Sequence, residues 1–400
     1  MIFQNNTSTN FLLIAHMSEF REKIDEVSNY FKNGDYSLGK RRMIDCTLDT
    51  AQTSFFKRCL DIIEQHNDND SAIASAQETS QFLADMAAIS INNSKTNDTL
   101  MEIKNVSKAY AKGTFKISPL SFQLKYGEVI GLVGENGNGK TTLLRLLSRD
   151  LKEDEGSLSF KAEKETSSLY ELRTRLVYIP QRVPKWYGSL MDNLHFTLSM
   201  YGIHNEENVL RAELIIARLG LRPFKNLGWN RISSGYRTRF ELAKALLRQP
   251  ELMLLDEPLS NLDIISQQTI LQDLKHMSGS FSRPFGIVLS SQQLYEVEKI
   301  SDMVIFLRQG VAQYQFKTSE QSETAQSLIY ELETDATREE VVNTFNNCGL
   351  ESINFNGGVY VLHFNNSTSG KAIFASISSS DLPVRYIRNI THSSRRFFIQ

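Results

Sequence analysis

The 400-residue chain is short of cysteine, of net charge and of long apolar runs, and each shortage excludes something. Its three cysteines, Cys46, Cys59 and Cys348, are odd in number and widely spaced, with no CxxC pair. That pattern excludes a disulfide framework and a cysteine-based zinc site, and it leads us to expect a reducing compartment. A formal net charge of −2 gives no overall pull toward nucleic acid or an anionic membrane. No apolar run approaches the roughly 20 residues that a membrane-spanning helix needs. Residues 11–15 are apolar, but the run is short and no positive charge precedes it, so it does not read as a secretory signal. A soluble chain is expected, with any membrane work done through a partner.

What is present is ordinary globular composition, 41% hydrophobic and 22% charged, at a length suited to two or three domains. Three blocks emerge. Residues 1–98 carry helical periodicity over 17–31, 49–65 and 71–89, and the polar run 92–98 reads as a linker. This block reads as a helical interaction module without a catalytic constellation. Its basic cluster Lys40, Arg41 and Arg42 reads as a solvated helix face, the alternative being a contact with phosphate or lipid headgroups. Residues 99–318 alternate short β-branched runs with helical stretches, predicting an α/β layer structure around a mainly parallel sheet.

Residues 325–400 read strand–helix–strand–strand–helix–strand, the order of a split βαβ, ferredoxin-like α+β domain. The strands are placed at 328–332, 352–355, 359–364 and 384–390, and the helices at 337–345 and 371–377. Thr337 and Glu340 have capping-box spacing, and Gly357-Gly358 suits the hairpin turn. Arg385, Arg388, Arg395 and Arg396 make this end basic, which reads as solubilising surface or as a regulatory or membrane-surface contact.

The chemistry concentrates in the middle block. Gly134, Glu135, Asn136, Gly137, Asn138, Gly139, Lys140, Thr141 and Thr142 fit G-x-x-x-x-G-K-[ST], a loop that wraps backbone N–H groups around nucleotide phosphates. The apolar strand 129–133 precedes it and a helix follows, so the positive helix end points at the bound anion. About 115 residues after Lys140, the apolar strand 252–255 ends in Asp256 and Glu257. Such a pair is the second half of a nucleotide hydrolase site. Asp256 would reach Mg²⁺ through water, Thr141 would ligate it by its hydroxyl, and Glu257 stands where a base for the attacking water is needed.

Upstream of that strand, Ser233, Ser234, Gly235 and Tyr236 open the helix 240–248. Here the chain resembles the ATP-binding cassette (ABC) ATPases, whose Leu-Ser-Gly-Gly-Gln signature occupies this position. The resemblance implies that Ser233 and Gly235 bind the γ-phosphate held by an opposing subunit, in an ATP-dependent homodimer. Ser234 replaces a glycine of that signature and Tyr236 its glutamine. The same resemblance makes Gln181 the amide that senses metal and attacking water, residues 260–263 (Ser260, Asn261, Leu262, Asp263) the loop that crosses the dimer interface, and Tyr110 the aromatic that stacks on adenine. It covers about residues 101–315 and implies ATP and Mg²⁺ as cofactors. The family's usual histidine beside the γ-phosphate is here Gln292. A neutral amide offers a weaker contact than a cation, so retained but slowed hydrolysis is expected.

Two classes of function compete. One is the ATPase subunit of an ABC-2-type exporter, cytoplasmic and held at the inner face of the membrane through separate transmembrane permease subunits. The other is a soluble ATPase working on ribosome or nucleic-acid complexes, or a slow ATP-dependent switch. Only about 95 residues separate Lys140 from Ser234, which leaves no room for the long insertions of the soluble class, so nucleic acid is disfavoured. The aromatic stretch 183–190, with Trp186, lies where the family receives a helix from the membrane subunit, and a helical-layer core is the competing reading.

Overall fold

The computed structural model describes residues 5–91, 98–110, 115–161, 168–260, 262–317 and 328–391. Residues 92–97 of the expected linker, together with Asn261, Arg395 and Arg396, lie outside the described residues.

Five helices come first: α1 (Asn5–Lys32), α2 (Tyr36–Asp49), α3 (Thr53–Gln65), α4 (Asp70–Ser75) and α5 (Gln77–Ala87). The sequence pattern missed α2 and ran α4 and α5 together. Gly39 lies inside α2, where glycine is unfavourable. Yet a Cβ there would sit 2.5 Å from the Phe31 ring, so the glycine is what lets α1 and α2 close up. Ala76 takes an extended conformation and separates α4 from α5, while Asn69 caps α4 by accepting from the Ser71 and Ala72 N–H groups. The core of the bundle buries Phe20, Phe56 and Phe82 completely. Each such ring contributes about 1.5–3 kcal/mol.

This bundle does not stand apart. Its core continues into Leu210, Leu214 and Ala217 of α9 (Asn205–Arg218) and into Phe281. The basic cluster is a correction to expectation: it is not a solvated face. Arg42 is buried against Asp45, Arg41 pairs with Asp273 of α11 (Ile264–Ser278) at 2.8 Å, and Lys40 pairs with Asp68 at 2.7 Å. At the centre lies Arg218, fully buried, with Nε 2.7 Å from Asp45 and Nη1 2.9 Å from Asp273. Burial alone would lower its pKa, but the two carboxylates outweigh burial and hold it above the ordinary arginine value. A helix sequence read alone shows the charges of α2 but not the acids that meet them.

The middle of the chain is built on a six-stranded sheet, ordered β5-β6-β7-β3-β8-β9. Its members are β3 (Val129–Val133), β5 (Leu176–Ile179), β6 (Leu252–Leu255), β7 (Gly286–Ser291), β8 (Met303–Arg308) and the antiparallel edge strand β9 (Val311–Lys317). The first five run parallel and are almost wholly buried, as strands covered on both faces must be. A three-stranded antiparallel sheet, β2-β1-β4, covers one face: β1 (Thr99–Ala109), β2 (Lys116–Lys125) and β4 (Glu155–Phe160). Between β5 and β6 the chain inserts α8 (Leu190–Met200), α9 and α10 (Ser234–Leu247), a helical layer with its own core.

The last four strands, β10 (Leu328–Thr334), β11 (Leu350–Asn356), β12 (Val359–Phe364) and β13 (Val384–Asn389), form an antiparallel sheet ordered β11-β12-β10-β13. Helices α13 (Arg338–Phe345) and α14 (Gly370–Ser378) join them. The Thr337–Glu340 capping box forms reciprocally, and Gly357 and Gly358 turn the hairpin with φ of 58° and 92°. Arg388 of β13 lies 4.0 Å from the Tyr295 ring in α12 (Leu294–Glu298), and Arg385 pairs with Asp335 at 2.6 Å.

Candidate functional site

Because β3, β5, β6 and β7 are parallel neighbours, everything that follows their carboxyl ends gathers on one edge of the sheet, where open α/β folds bind ligands. The glycine-rich loop leaves β3, Gln181 follows β5, Asp256 and Glu257 follow β6, and Gln292 follows β7. The loop feeds α6 (Lys140–Leu147). Gly139 at its entry has φ of 101°, and a Cβ there would meet the Phe115 ring at 2.8 Å. Glycine is therefore required for the loop to turn into the helix and present its N–H groups.

Lys140 is buried and bends back over the loop, donating to the Gly134 carbonyl at 2.6 Å and the Glu135 carbonyl at 3.2 Å. Its Nζ also lies 3.0 Å from Glu257 Oε1, an ion pair without hydrogen-bond alignment. Glu135, Asn136 and Gly137 are exposed. Asn138 differs from the others, because its side chain is buried and accepts from the Gln309 N–H at 2.9 Å. It braces the loop against the β8–β9 turn instead of facing outward. Tyr110, half-exposed, has its hydroxyl 3.5 Å from Thr142 Oγ1, which places an aromatic face beside the start of α6.

Asp256 is the most heavily supported side chain of the site. It is 3% exposed, and Thr141 Oγ1 donates to its Oδ2 at 2.8 Å. Two further donors were not foreseen from the sequence. Tyr178 of β5 donates to Oδ2 at 3.3 Å, and Ser290 of β7 donates to Oδ1 at 2.7 Å. Burial and the neighbouring Asp256 carboxylate push the Tyr178 phenol well above its ordinary value, so it remains a donor. Both residues sit on strands adjacent to β6, a pairing that only the sheet order reveals. Glu257 takes a left-handed backbone, φ 49°, just past the strand end, and is mostly buried. Gln181 and Gln292 are exposed on the same edge.

Ser233 and Gly235 are not brought to this edge by hydrogen bonds. Ser233 caps α10, accepting from the Tyr236 N–H at 3.4 Å, and it is exposed. Tyr236 packs on Phe224, with ring centroids 4.0 Å apart. An exposed hydroxyl beside the N–H groups of a helix N-terminus is the kind of donor set that suits an anion. The alternatives for Trp186 resolve to the helical-layer core: it is buried, stacks on Trp229 at 5.0 Å, and donates to Glu241 at 2.6 Å. Its neighbour Tyr187 is 81% exposed instead.

A family model described as ABC transporter matches residues 117–260. The chain is 30% identical over 216 residues to a linearmycin resistance ATP-binding protein of Bacillus subtilis, covering 53% of this chain and 67% of that one. It is 28% identical over 224 residues to a phosphonates import ATP-binding protein of Treponema denticola, covering 53% of this chain and 87% of the relative. Among solved structures it is similar to cbiO1 from Clostridium perfringens, part of the cbiONQ complex, with a TM-score of 0.51 at 21% identity over 62% of this chain and 95% of that one. This last likeness speaks to the fold alone.

Proposed function

The chain belongs to the ATP-binding cassette family as an ABC transporter ATP-binding subunit, and from that premise we propose that it drives export through separate permease subunits. Family membership carries ATP binding and hydrolysis with it. The finer reading is supported above all by the carboxyl edge of the sheet, which gathers Lys140, Thr141, Asp256 and Glu257, while Ser233 caps α10 in an exposed position. A second subunit completes the site.

In this reading Tyr110 stacks on adenine, and residues 134–142 cradle the phosphates. Lys140 exchanges its carbonyl and Glu257 contacts for phosphate oxygens. Glu257, released from Lys140, accepts the proton of the attacking water, which Gln181 orients. Gln292 donates its amide to the γ-phosphate. Ser233 and Gly235 of the opposing copy close over that phosphate, so ATP joins two cassettes. Mg²⁺ fits the donors present, since a hydroxyl and a carboxylate 2.8 Å apart suit a hard ion that keeps waters and phosphate oxygens. Thr141 and Asp256 would hold it together with Gln181, and it would supply neutralisation of the phosphate charge that develops during transfer. Gln292 in place of a histidine makes turnover slow.

We divide the chain into an N-terminal helical module at 1–98, the cassette at 99–318 and a small α+β domain at 325–400. Among the described residues no helix is long and apolar enough to cross a membrane, which fits a subunit held at the inner face by its permease. Tyr187, Phe196 and Met200 offer that partner an exposed apolar surface on the helical layer, the last two one turn apart on α8. Cassettes named for import and for resistance are both similar to this one, so the direction is argued from the C-terminal domain, whose order resembles extensions of exporter ATPases. Affinity purification of the tagged chain from detergent-solubilised membranes should recover multi-span membrane proteins. Recovery with ribosomes alone would overturn the transporter reading.

A further inference from the structure

Ser290 has no side-chain exposure, yet it carries a hydroxyl into the centre of the sheet. A buried hydroxyl is costly unless partnered, and this one is used twice. Its proton goes to Asp256 Oδ1 at 2.7 Å, and its lone pair accepts the Glu257 N–H at 2.8 Å. One oxygen on β7 thus touches both consecutive acids that follow β6, one through its carboxylate and the other through its backbone.

The backbone contact matters because of the conformation it supports. Glu257 sits at φ 49°, where L side chains rarely rest, and its N–H is held by Ser290 at the point where the chain turns out of β6. The direction of the Glu257 side chain follows from that turn. The carboxylate contact matters because Thr141 now donates to the other oxygen, Oδ2, shared with Tyr178. If Thr141 turns to a cation, Asp256 keeps, among the described residues, Tyr178 and Ser290, one on each oxygen. Ser290 also lies two residues before Gln292, so the same strand end carries the clamp on the acids and the amide at the phosphate.

We infer that Ser290 is a positioning residue for hydrolysis, orienting the Asp256 carboxylate toward the cation's water and fixing the turn that aims Glu257. The inference rests on the proposed roles of Asp256 and Glu257. Its test uses the whole chain and three variants, Ser290→Ala, Ser290→Val and Ser290→Thr; Val and Thr match in size and differ in the hydroxyl. Mn²⁺ is titrated into the ATP-loaded protein and followed by electron paramagnetic resonance, alongside metal-free ATP binding and steady-state ATP turnover.

Expected are an Mn²⁺ affinity and a kcat lowered roughly tenfold in the Ala and Val variants, near-native values in Thr, and unchanged metal-free ATP binding throughout. Near-native Mn²⁺ affinity and kcat in Val would overturn the inference, and so would a Thr variant as impaired as Val, since packing would then account for the loss. Failure of the native protein to take up Mn²⁺ with ATP would instead sink the underlying assignment of Asp256 and Thr141.

Discussion

Gln292 is exposed on the edge where the phosphates are expected, and its amide can donate a hydrogen bond but carries no charge. A protonated imidazole at the same place would make the stronger, charge-assisted contact. Gln292→His should therefore raise kcat for ATP by roughly three- to tenfold, a gain of about 1 kcal/mol in transition-state stabilisation. Phosphate release under saturating ATP measures it, and an unchanged or lower rate would show that the amide is not limiting. Individual residues of the site were legible where their neighbours in sequence define them: Lys140 by its glycines, Asp256 by its strand. Tyr178 and Ser290 were not, because their role comes from lying on strands that flank β6 in space, 78 and 34 positions away in the chain. Asn138 sits inside the phosphate-loop pattern, whose expected contacts are backbone N–H groups, and its side chain is committed to Gln309, a tie that the motif does not reveal.

At the scale of elements, α6 and α10 are two helices whose N-termini both bind phosphate in the proposed reading, α6 that of its own nucleotide and α10 that of the opposing copy. They should fail differently. Lys140→Ala should abolish ATP binding and, with it, ATP-dependent dimerisation. Ser233→Arg should leave binding by the monomer intact and remove the dimer, because a long cation would occupy the space the opposing phosphate needs. Size-exclusion chromatography with light scattering, paired with nucleotide titration, separates the two; a Ser233→Arg protein that still dimerises with ATP would contradict the shared-site geometry. Strand–loop–helix units and the βαββαβ tail were readable because each is specified locally, by period, caps and turn glycines, as at Thr337 and Gly357-Gly358. Helix α2 was lost for the converse reason. Its glycine serves a tertiary contact with Phe31, and its charges serve Asp68 before α4 and Asp273 on α11.

Across the whole molecule, the first ninety residues, the helical layer and the sheet-bearing core meet at Arg218. Asp45 approaches it from α2 and Asp273 from α11, while Arg218 itself ends α9. Nearby, burial pulls the pKa of His276 down to about 4, so it adds no charge to the cluster at neutral pH. Removing the central cation leaves one buried and one partly buried carboxylate short of a partner. Arg218→Met should cost about 3–5 kcal/mol, read as a lowered urea midpoint. A loss under 1 kcal/mol would mean that Arg41 and Arg42 suffice. Ser233 rides on α10 of the layer that α9 belongs to, and Asp256 and Glu257 follow β6 in the core that carries α11. Any rotation of one against the other stretches the bonds of a guanidinium that the N-terminal helices also grip. If the proposed closure over ATP proceeds by such a rotation, closure and the seating of those helices share a coupling free energy, and each shifts the other's equilibrium by the same factor.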